Sequence, residues 1–294
     1  MSSPSFFNII LVWPFLNVLV AIYKLLIIVH IPYALGFSII LLTALIRLIL
    51  SPLTNSQMRA SKKMQDLAPH ISRLKEKHKG DSKRIQVETM KLYKEHNVNP
   101  AAGCLPMIIQ LPLIWGLYSV LSQIVRANSA SALTEINKVM YTSALHLTKA
   151  WDPSFFGVPL GKSPSQLFSS MGVLVFLVPL LTGLFQLLQS KMLISKPHPG
   201  VKLAKDKTGK EVALGQKKSD DFASAFQTQS LYIFPVMIGF FSYTFPIGLS
   251  LYWNTFTIFG IIQQYKITGL GGLHEWREKL RGRKDSTVLR KELQ

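Results

Sequence analysis

One charged side chain lies inside an apolar stretch of the sequence. Arg47 is six residues from the end of the apolar run 34–53, a distance of roughly 9 Å along a helix. An arginine in hydrocarbon costs about 2.5–3.5 kcal/mol on insertion scales. Its guanidinium could snorkel to the headgroups, or it could face a hydrated cavity among helices and attract an acidic group brought by a partner. The sequence leaves both alternatives open.

Uncharged polar side chains in the other apolar stretches agree with such a cavity. The candidates that accompany Arg47 are Thr43, Gln110, Gln186 and Asn254, with Trp253 as a possible aromatic contact. Taken singly, each hydroxyl or amide could instead form an interhelical hydrogen bond worth about 0.6 kcal/mol. Trp253 could equally belong to an aromatic belt at the membrane interface.

Most catalytic signatures are missing from the sequence. It contains neither a phosphate-binding GxxxxGK[ST] motif nor an HExxH metal motif, and its one cysteine excludes any multi-cysteine metal site. No acidic residue lies in the apolar runs, which argues against an intramembrane protease or a proton-coupled transporter. We therefore predict no catalytic residue, no metal site and no cofactor, and a protein that is not an enzyme.

Composition places these residues in a membrane protein. The 294 residues carry a net charge of +18, yet 48% are hydrophobic and only 16% are charged. This combination is typical of a polytopic protein with basic loops. We predict an all-α fold in which five transmembrane helices surround a hydrated groove. The predicted spans are 34–53, 103–125, 167–188, 229–246 and 248–266.

The segment before the first span, residues 1–33, is ambiguous. Asn17 and Lys24 are seven residues apart and share one face of a predicted helix over residues 15–30. A helix with such a polar face is typical of one that lies on the membrane surface. The alternative is a sixth span or an uncleaved signal anchor.

Lysine and arginine predict the orientation. Residues 54–102 contain 11 of them, residues 189–228 contain 8 and residues 266–294 contain 8, whereas residues 126–166 contain 4. By the positive-inside rule the three basic segments are cytoplasmic. The N-terminus is then outside and the C-terminus inside, and 126–166 is an extracytoplasmic loop whose length the sequence does not explain.

The cytoplasmic segments differ in pattern. In 54–102, apolar residues at helical spacing on both sides of a Lys79-Gly80-Asp81 break predict an antiparallel helical hairpin. Its methionines suit an adaptable contact surface. The loop 189–228 has scattered Pro, Gly and Lys around residues 196–221, which predicts a mobile segment. The tail 267–294 is basic, and we expect it to be partly disordered.

Three motifs resemble the YidC/Oxa1/Alb3 family of membrane protein insertases. They are IILLTALIRLILSPLT at Ile39–Thr54, NPAAGCLPMIIQLPLIWGLY at Asn99–Tyr118 and FPIGLSLYWNTFTIFGIIQQ at Phe245–Gln264. The resemblance extends from about residue 15 to residue 268. It implies a five-helix core with a positively charged groove, in which Arg47 is the groove arginine and Thr43 the nearby hydroxyl. Trp253 falls where relatives can carry a substrate-contacting Tyr.

The same resemblance implies the partners and the location. The expected substrates are nascent membrane proteins, with the ribosome contacted through the basic tail and loops, the lipid bilayer as surroundings and the Sec translocon as an optional partner. No specific DNA contact is expected. We expect the compact form of the family, without the large extracytoplasmic domain of many Gram-negative members. The first thirty residues contain no Arg and one Lys, which favours a bacterial plasma membrane over an organelle.

Two other classes remain open on the residues alone. A channel or small-solute transporter could use the same cavity, although the spans lack acids and show no inverted repeat. A structural anchor that docks ribosomes through its basic loops would need no insertase activity. Anionic lipid headgroups explain those loops as well as RNA does.

Overall fold

A computed structural model describes residues 5–78, 80–99, 105–126, 130–193 and 219–273. The helices are α1 (Trp13–Ile28), α2 (Ala34–Lys77), α3 (Ser82–Glu95), α4 (Leu105–Arg126), α5 (Ala130–Asn137), α6 (Pro164–Met171), α7 (Leu177–Leu193), α8 (Ser219–Thr244) and α9 (Ile247–Thr268). A π-helical turn (Asn8–Val12) precedes α1, and 3-10 turns lie at Ser143–Leu145 and Gly172–Phe176. Most of the predicted mobile segment 196–221 and most of the basic tail lie outside the described residues, and α8 begins inside that segment.

The predicted helical class is confirmed. In the described ranges the only sheet is a two-stranded hairpin of β1 (Ser154–Phe155) and β2 (Val158–Pro159). The strands are antiparallel, with Phe155 opposite Val158. Phe156 and Gly157 at its turn both have positive φ, 49° and 80°, as a tight hairpin turn requires.

Three segments of the described chain are long and apolar enough to cross a membrane: Asn8–Ile28, Ala34–Lys77 and Pro164–Leu193. Leu231–Thr244 is a shorter apolar helix. The predicted second and fifth spans coincide with α4 and α9, which have 22 residues each. Polar residues such as Asn254, Gln263 and Gln264 dilute the apolar character of α9. The arrangement of five spans therefore stays a prediction, as does the choice between a surface helix and a span for α1.

The helices differ from the predicted spans at α2, at 167–188 and at α8, which begins at Ser219 and not at residue 229. α2 does not end near residue 53 but continues unbroken to Lys77, because the charged sequence after Pro52 keeps a helical repeat. α3 begins after Asp81, whose carboxylate accepts a hydrogen bond from the Arg84 N–H at 3.0 Å. This N-cap and Gly80, with φ of 93°, form the predicted break.

The predicted span 167–188 is an interrupted helix. α6 begins with a capping box in which Ser163 and Gln166 exchange hydrogen bonds between side chain and backbone. It ends at Gly172, which has φ of 59°, and a 3-10 turn leads into α7. Gly172 supplies the left-handed conformation that stops the helix.

The chain divides into two compact units. Unit 1 comprises Met1–Pro52, Cys104–Gln186 and Pro235–Gly260, and unit 2 comprises Leu53–Gly103, Leu187–Phe234 and Ile261–Gln294. The apolar core of unit 1 joins buried residues of α1, α2, α4 and α9 with Ile136, Met140, Trp151 and Leu160 of the predicted extracytoplasmic loop. That loop is thus an integral part of the core of unit 1.

In unit 2, polar side chains fasten α2 to two other helices. The Gln263 amide donates to the Thr54 hydroxyl at 2.7 Å and to the Asn55 side-chain oxygen at 2.6 Å. The Gln65 amide donates to the Leu193 carbonyl. Residues of α2 and α3, including His70, Leu74, Glu88 and Leu92, line one common cavity.

Candidate functional site

Arg47 lies on the buried stripe of α2. Ile39, Leu42, Thr43, Ile46 and Arg47 are all buried, and their spacing of three and four residues follows one helical face. Leu41, Leu45 and Leu48 on the other face are 40–61% exposed. The Arg47 side chain therefore lies in the interior of unit 1, on the side of α2 opposite the exposed leucines.

The guanidinium of Arg47 contacts one residue of α9. Its Nε and Nη2 donate to the Phe256 carbonyl oxygen at 3.1 and 2.6 Å. Its central carbon lies 3.5 Å from the centroid of the Phe256 ring, within the range of a cation–π contact. Arg47 is 4% exposed, so its side chain is held inside the unit and does not extend to the unit's surface.

These contacts leave the positive charge without an anion. The Phe256 carbonyl and ring are neutral groups that present partial negative charge, and no ion pair of Arg47 occurs among the described residues. Because a buried cation is stabilised best by a hydrogen-bonded anion, this site favours binding of a carboxylate over binding of a neutral group.

Two of the predicted residues, Gln110 and Gln186, form hydrogen bonds with side chains of α9. The Gln110 amide of α4 donates to the Tyr252 hydroxyl at 3.2 Å, and Tyr252 is 1% exposed. The Trp253 indole N–H donates to the Gln186 side-chain oxygen of α7 at 3.2 Å. Within unit 1, consecutive residues of α9 therefore reach α4 and α7, while Phe256 reaches α2.

The contacts of Thr43 and Asn254 differ from those of the other predicted residues. The Thr43 hydroxyl donates to the Ile39 carbonyl of its own helix at 2.6 Å, and the residue is fully buried. The Asn254 side-chain oxygen is buried and has no hydrogen-bond partner in the described part of the chain. At 100° per residue, Asn254 and Phe256 project about 160° apart around α9. Asn254 therefore does not share the Arg47 face.

Of the six predicted residues, only Gln186 and Trp253 form a hydrogen bond with each other among the described contacts. Arg47 and Gln110 are linked to the group through Phe256 and Tyr252. Phe256 could not be predicted from the sequence, because an apolar ring in an apolar helix gives no signal. Tyr252 carried a signal, a hydroxyl within an apolar run.

A hydrogen-bonded chain of hydroxyls joins three helices in unit 1. Ser242 of α8 donates to Thr182 of α7 at 3.2 Å and lies 2.8 Å from the Ser250 hydroxyl of α9. All three residues are buried, so these groups satisfy each other as interhelical bonds do. In the described residues no group of three or more His, Cys, Asp or Glu could hold a metal ion.

The fold and the site together describe a helical membrane protein with a cation in its interior. The family model described as 60Kd inner membrane protein matches residues 27–271. The chain belongs to this family, which is the YidC/Oxa1/Alb3 family of membrane protein insertases. The resemblance seen in the three sequence motifs is thereby confirmed.

Individual relatives agree with this assignment. The chloroplast inner membrane protein ALBINO3 of Arabidopsis thaliana is 34% identical over 247 residues, which are 83% of this chain and 48% of that protein. The membrane protein insertase YidC of Fusobacterium nucleatum is 32% identical over 237 residues, which are 80% of this chain and 87% of that protein. The chain thus spans about half of the plant relative and most of the bacterial one.

A solved structure shares the fold. The crystal structure of an active YidC insertase with its first transmembrane domain resolved superposes with a TM-score of 0.51. The match covers 89% of this chain and 47% of that one, at 24% sequence identity. This likeness concerns the fold of the helices.

Proposed function

We propose that this chain inserts nascent membrane proteins into a lipid bilayer and helps them fold, without chemical catalysis. The observation that carries the proposal is the buried Arg47, which has only neutral groups around it among the described residues. A cation held inside an apolar bundle is costly. An incoming acidic group would offset that cost.

The physical task is to move a short polar end across hydrocarbon. A hydrated, cationic recess that reaches partway through the bilayer would shorten this barrier, and Arg47 would pair transiently with acidic groups on the incoming end. Hydrogen bonds to its polar groups would come from four of the other predicted groove residues, Thr43, Gln110, Gln186 and Trp253. The apolar segment would then partition into lipid, driven by about 25 cal/mol per Å² of buried apolar surface.

We further propose the arrangement in the membrane. The five predicted spans cross a bacterial plasma membrane, with the N-terminus outside and the C-terminus in the cytoplasm. The antiparallel hairpin of 54–102 receives substrate near the mouth of the groove. The basic segments contact the ribosome, and the chain acts alone or together with the Sec translocon. The excess of Lys and Arg in the three basic segments supports this orientation.

Replacement of Arg47 tests the proposal directly. In proteoliposomes, Arg47→Ala should reduce insertion of substrates with acidic polar ends by about tenfold or more, because a charged hydrogen bond is worth about 1.5–3 kcal/mol. Arg47→Lys should retain most of the activity, since it keeps the charge. Insertion is measured as protease protection of the translocated end.

The matched control changes the substrate and keeps the protein constant. A substrate whose acidic residues are replaced by Asn and Gln should depend much less on Arg47. If the unsubstituted protein inserts neither substrate, the insertase proposal is wrong. If the Arg47→Ala protein inserts both substrates normally, the proposed role of the Arg47 cation is wrong.

A further inference from the structure

The Phe256 contact occupies one of the two edges of the Arg47 guanidinium that a carboxylate could use. An arginine binds a carboxylate through two parallel N–H groups at one edge of the guanidinium. Here the edge formed by Nε and Nη2 is bound to the Phe256 carbonyl oxygen, at 3.1 and 2.6 Å. The Phe256 ring lies 3.5 Å from the guanidinium carbon and covers one face. With 4% of its surface exposed, Arg47 is not accessible to a substrate in this conformation.

We infer that Phe256 is a displaceable cover on Arg47, and that it makes the site selective for anionic ends. This inference rests on the proposed function. The cover is the Phe256 carbonyl oxygen together with the Phe256 ring. A substrate group reaches the Nε and Nη2 edge of the guanidinium only by replacing this carbonyl and moving the ring aside.

The chemistry of the competing acceptors explains the selectivity. A backbone carbonyl is a neutral acceptor, whereas a carboxylate forms with the guanidinium a bidentate pair in which both partners are charged. Neutral polar groups such as amides would gain nothing by the exchange, because they replace one neutral acceptor with another. Carboxylates of Asp, Glu or a C-terminus would gain enough to displace the cover. Phe256 would therefore suppress binding of neutral polar segments.

The ring also contacts other groups of unit 1. It is half-buried, packs against the apolar core and makes a tilted contact with the Tyr252 ring at 5.8 Å. A side-chain substitution at position 256 removes the ring but leaves the backbone carbonyl, so it tests the ring component of the cover.

The test compares substitutions of Phe256 with and without the cation. In proteoliposomes at limiting substrate, Phe256→Leu should accelerate insertion of acidic-ended substrates by about three- to tenfold, the value of a lost cation–π contact. Phe256→Met serves as a second variant that keeps an apolar side chain of similar length. The preference for acidic over neutral ends should persist, because the Phe256 carbonyl remains as the competing acceptor, so the effect is confined to the insertion rate. In an Arg47→Ala background, the same substitutions should have no such effect.

The control is a matched substitution elsewhere in unit 1. Phe37→Leu removes another partly buried ring, one that makes an edge-to-face contact with the Phe155 ring at 5.5 Å, and it should leave both the insertion rate and the substrate preference unchanged. If Phe256→Leu slows all substrates, or acts equally with and without Arg47, Phe256 is a structural residue and the cover is refuted. Failure of the unsubstituted protein to insert any substrate would instead refute the insertase proposal itself.

Discussion

The Tyr252 hydroxyl shows how one polar atom can be retained in the interior of a membrane protein. It lies in unit 1, where it accepts a hydrogen bond from the Gln110 amide at 3.2 Å. Both groups gain from the bond, because an unpaired amide N–H in an apolar interior costs about 1–3 kcal/mol. The same reasoning explains why Trp253 is paired with Gln186. At this scale, the polar residues of α9 act in pairs with residues of neighbouring helices.

We expect Tyr252→Phe to lower stability. The substitution removes the acceptor of the Gln110 amide but keeps the ring, so the free energy of unfolding should fall by about 1–2 kcal/mol. Thermal unfolding in detergent micelles measures the change. Tyr141→Phe is the matched control, because Tyr141 is 60% exposed. The Tyr141→Phe protein should unfold at the same temperature as the unsubstituted protein. Equal melting of the Tyr252→Phe and unsubstituted proteins would contradict the pairing.

At the scale of elements, hydrogen bonds join α1 to the loop 126–166 within unit 1. The Asn17 amide donates to the Val139 carbonyl at 3.0 Å, and its oxygen accepts from the Tyr141 N–H at 2.8 Å. The Lys24 ammonium donates to the Ala144 and His146 carbonyls, each at 2.6 Å. The polar face of α1 that suggested contact with headgroups therefore binds protein backbone. Residues 139–146 of the long loop form this interface with α1.

We expect Asn17→Leu to loosen the loop. The change leaves a buried carbonyl and a backbone N–H without partners, which should lower the free energy of unfolding by about 2–3 kcal/mol. Trypsin in detergent should then cleave after Lys138 or Lys149 several times faster, as followed by mass spectrometry. Leu25→Ala is a control on the same helix, since Leu25 is 60% exposed. Unchanged cleavage in Asn17→Leu would show that Asn17 does not hold the loop.

At the scale of the whole molecule, the distribution of Lys and Arg along the chain predicts the orientation of the protein in the membrane. The net charge of +18 is concentrated in the segments 54–102, 189–228 and 266–294. These segments alternate along the chain with stretches poor in Lys and Arg. Such alternation sets topology during insertion, because Lys and Arg near the ends of spans are retained on the cytoplasmic side.

Two single cysteines test this orientation. In a Cys104→Ser background, Thr148→Cys and Glu76→Cys place thiols at exposed positions. A membrane-impermeant maleimide applied to intact bacterial spheroplasts should label the Thr148→Cys protein. It should label the Glu76→Cys protein only after the membrane is permeabilised. The opposite pattern would reverse the proposed topology, and labelling of both in intact cells would contradict the spans between them.

The sequence alone determined the features that depend on local patterns. Apolar runs, helical spacing and charge asymmetry predicted a helical membrane protein, and three motifs predicted its family. The buried stripe that carries Arg47 follows from the spacing of Ile39, Leu42, Thr43 and Ile46. The break before α3 followed from Lys79-Gly80-Asp81, because a glycine and an N-cap are local signals.

Only the tertiary structure decided which groups meet. Arg47 and Phe256 are 209 residues apart, and Asn17 and Tyr141 are 124 residues apart. No periodicity specifies such partners, because they depend on which faces of separate helices pack together. The structure also assigned the polar face of α1 to the loop and placed Asn254 away from Arg47. Hydropathy identifies a buried side chain, but the packing of helices determines its contacts.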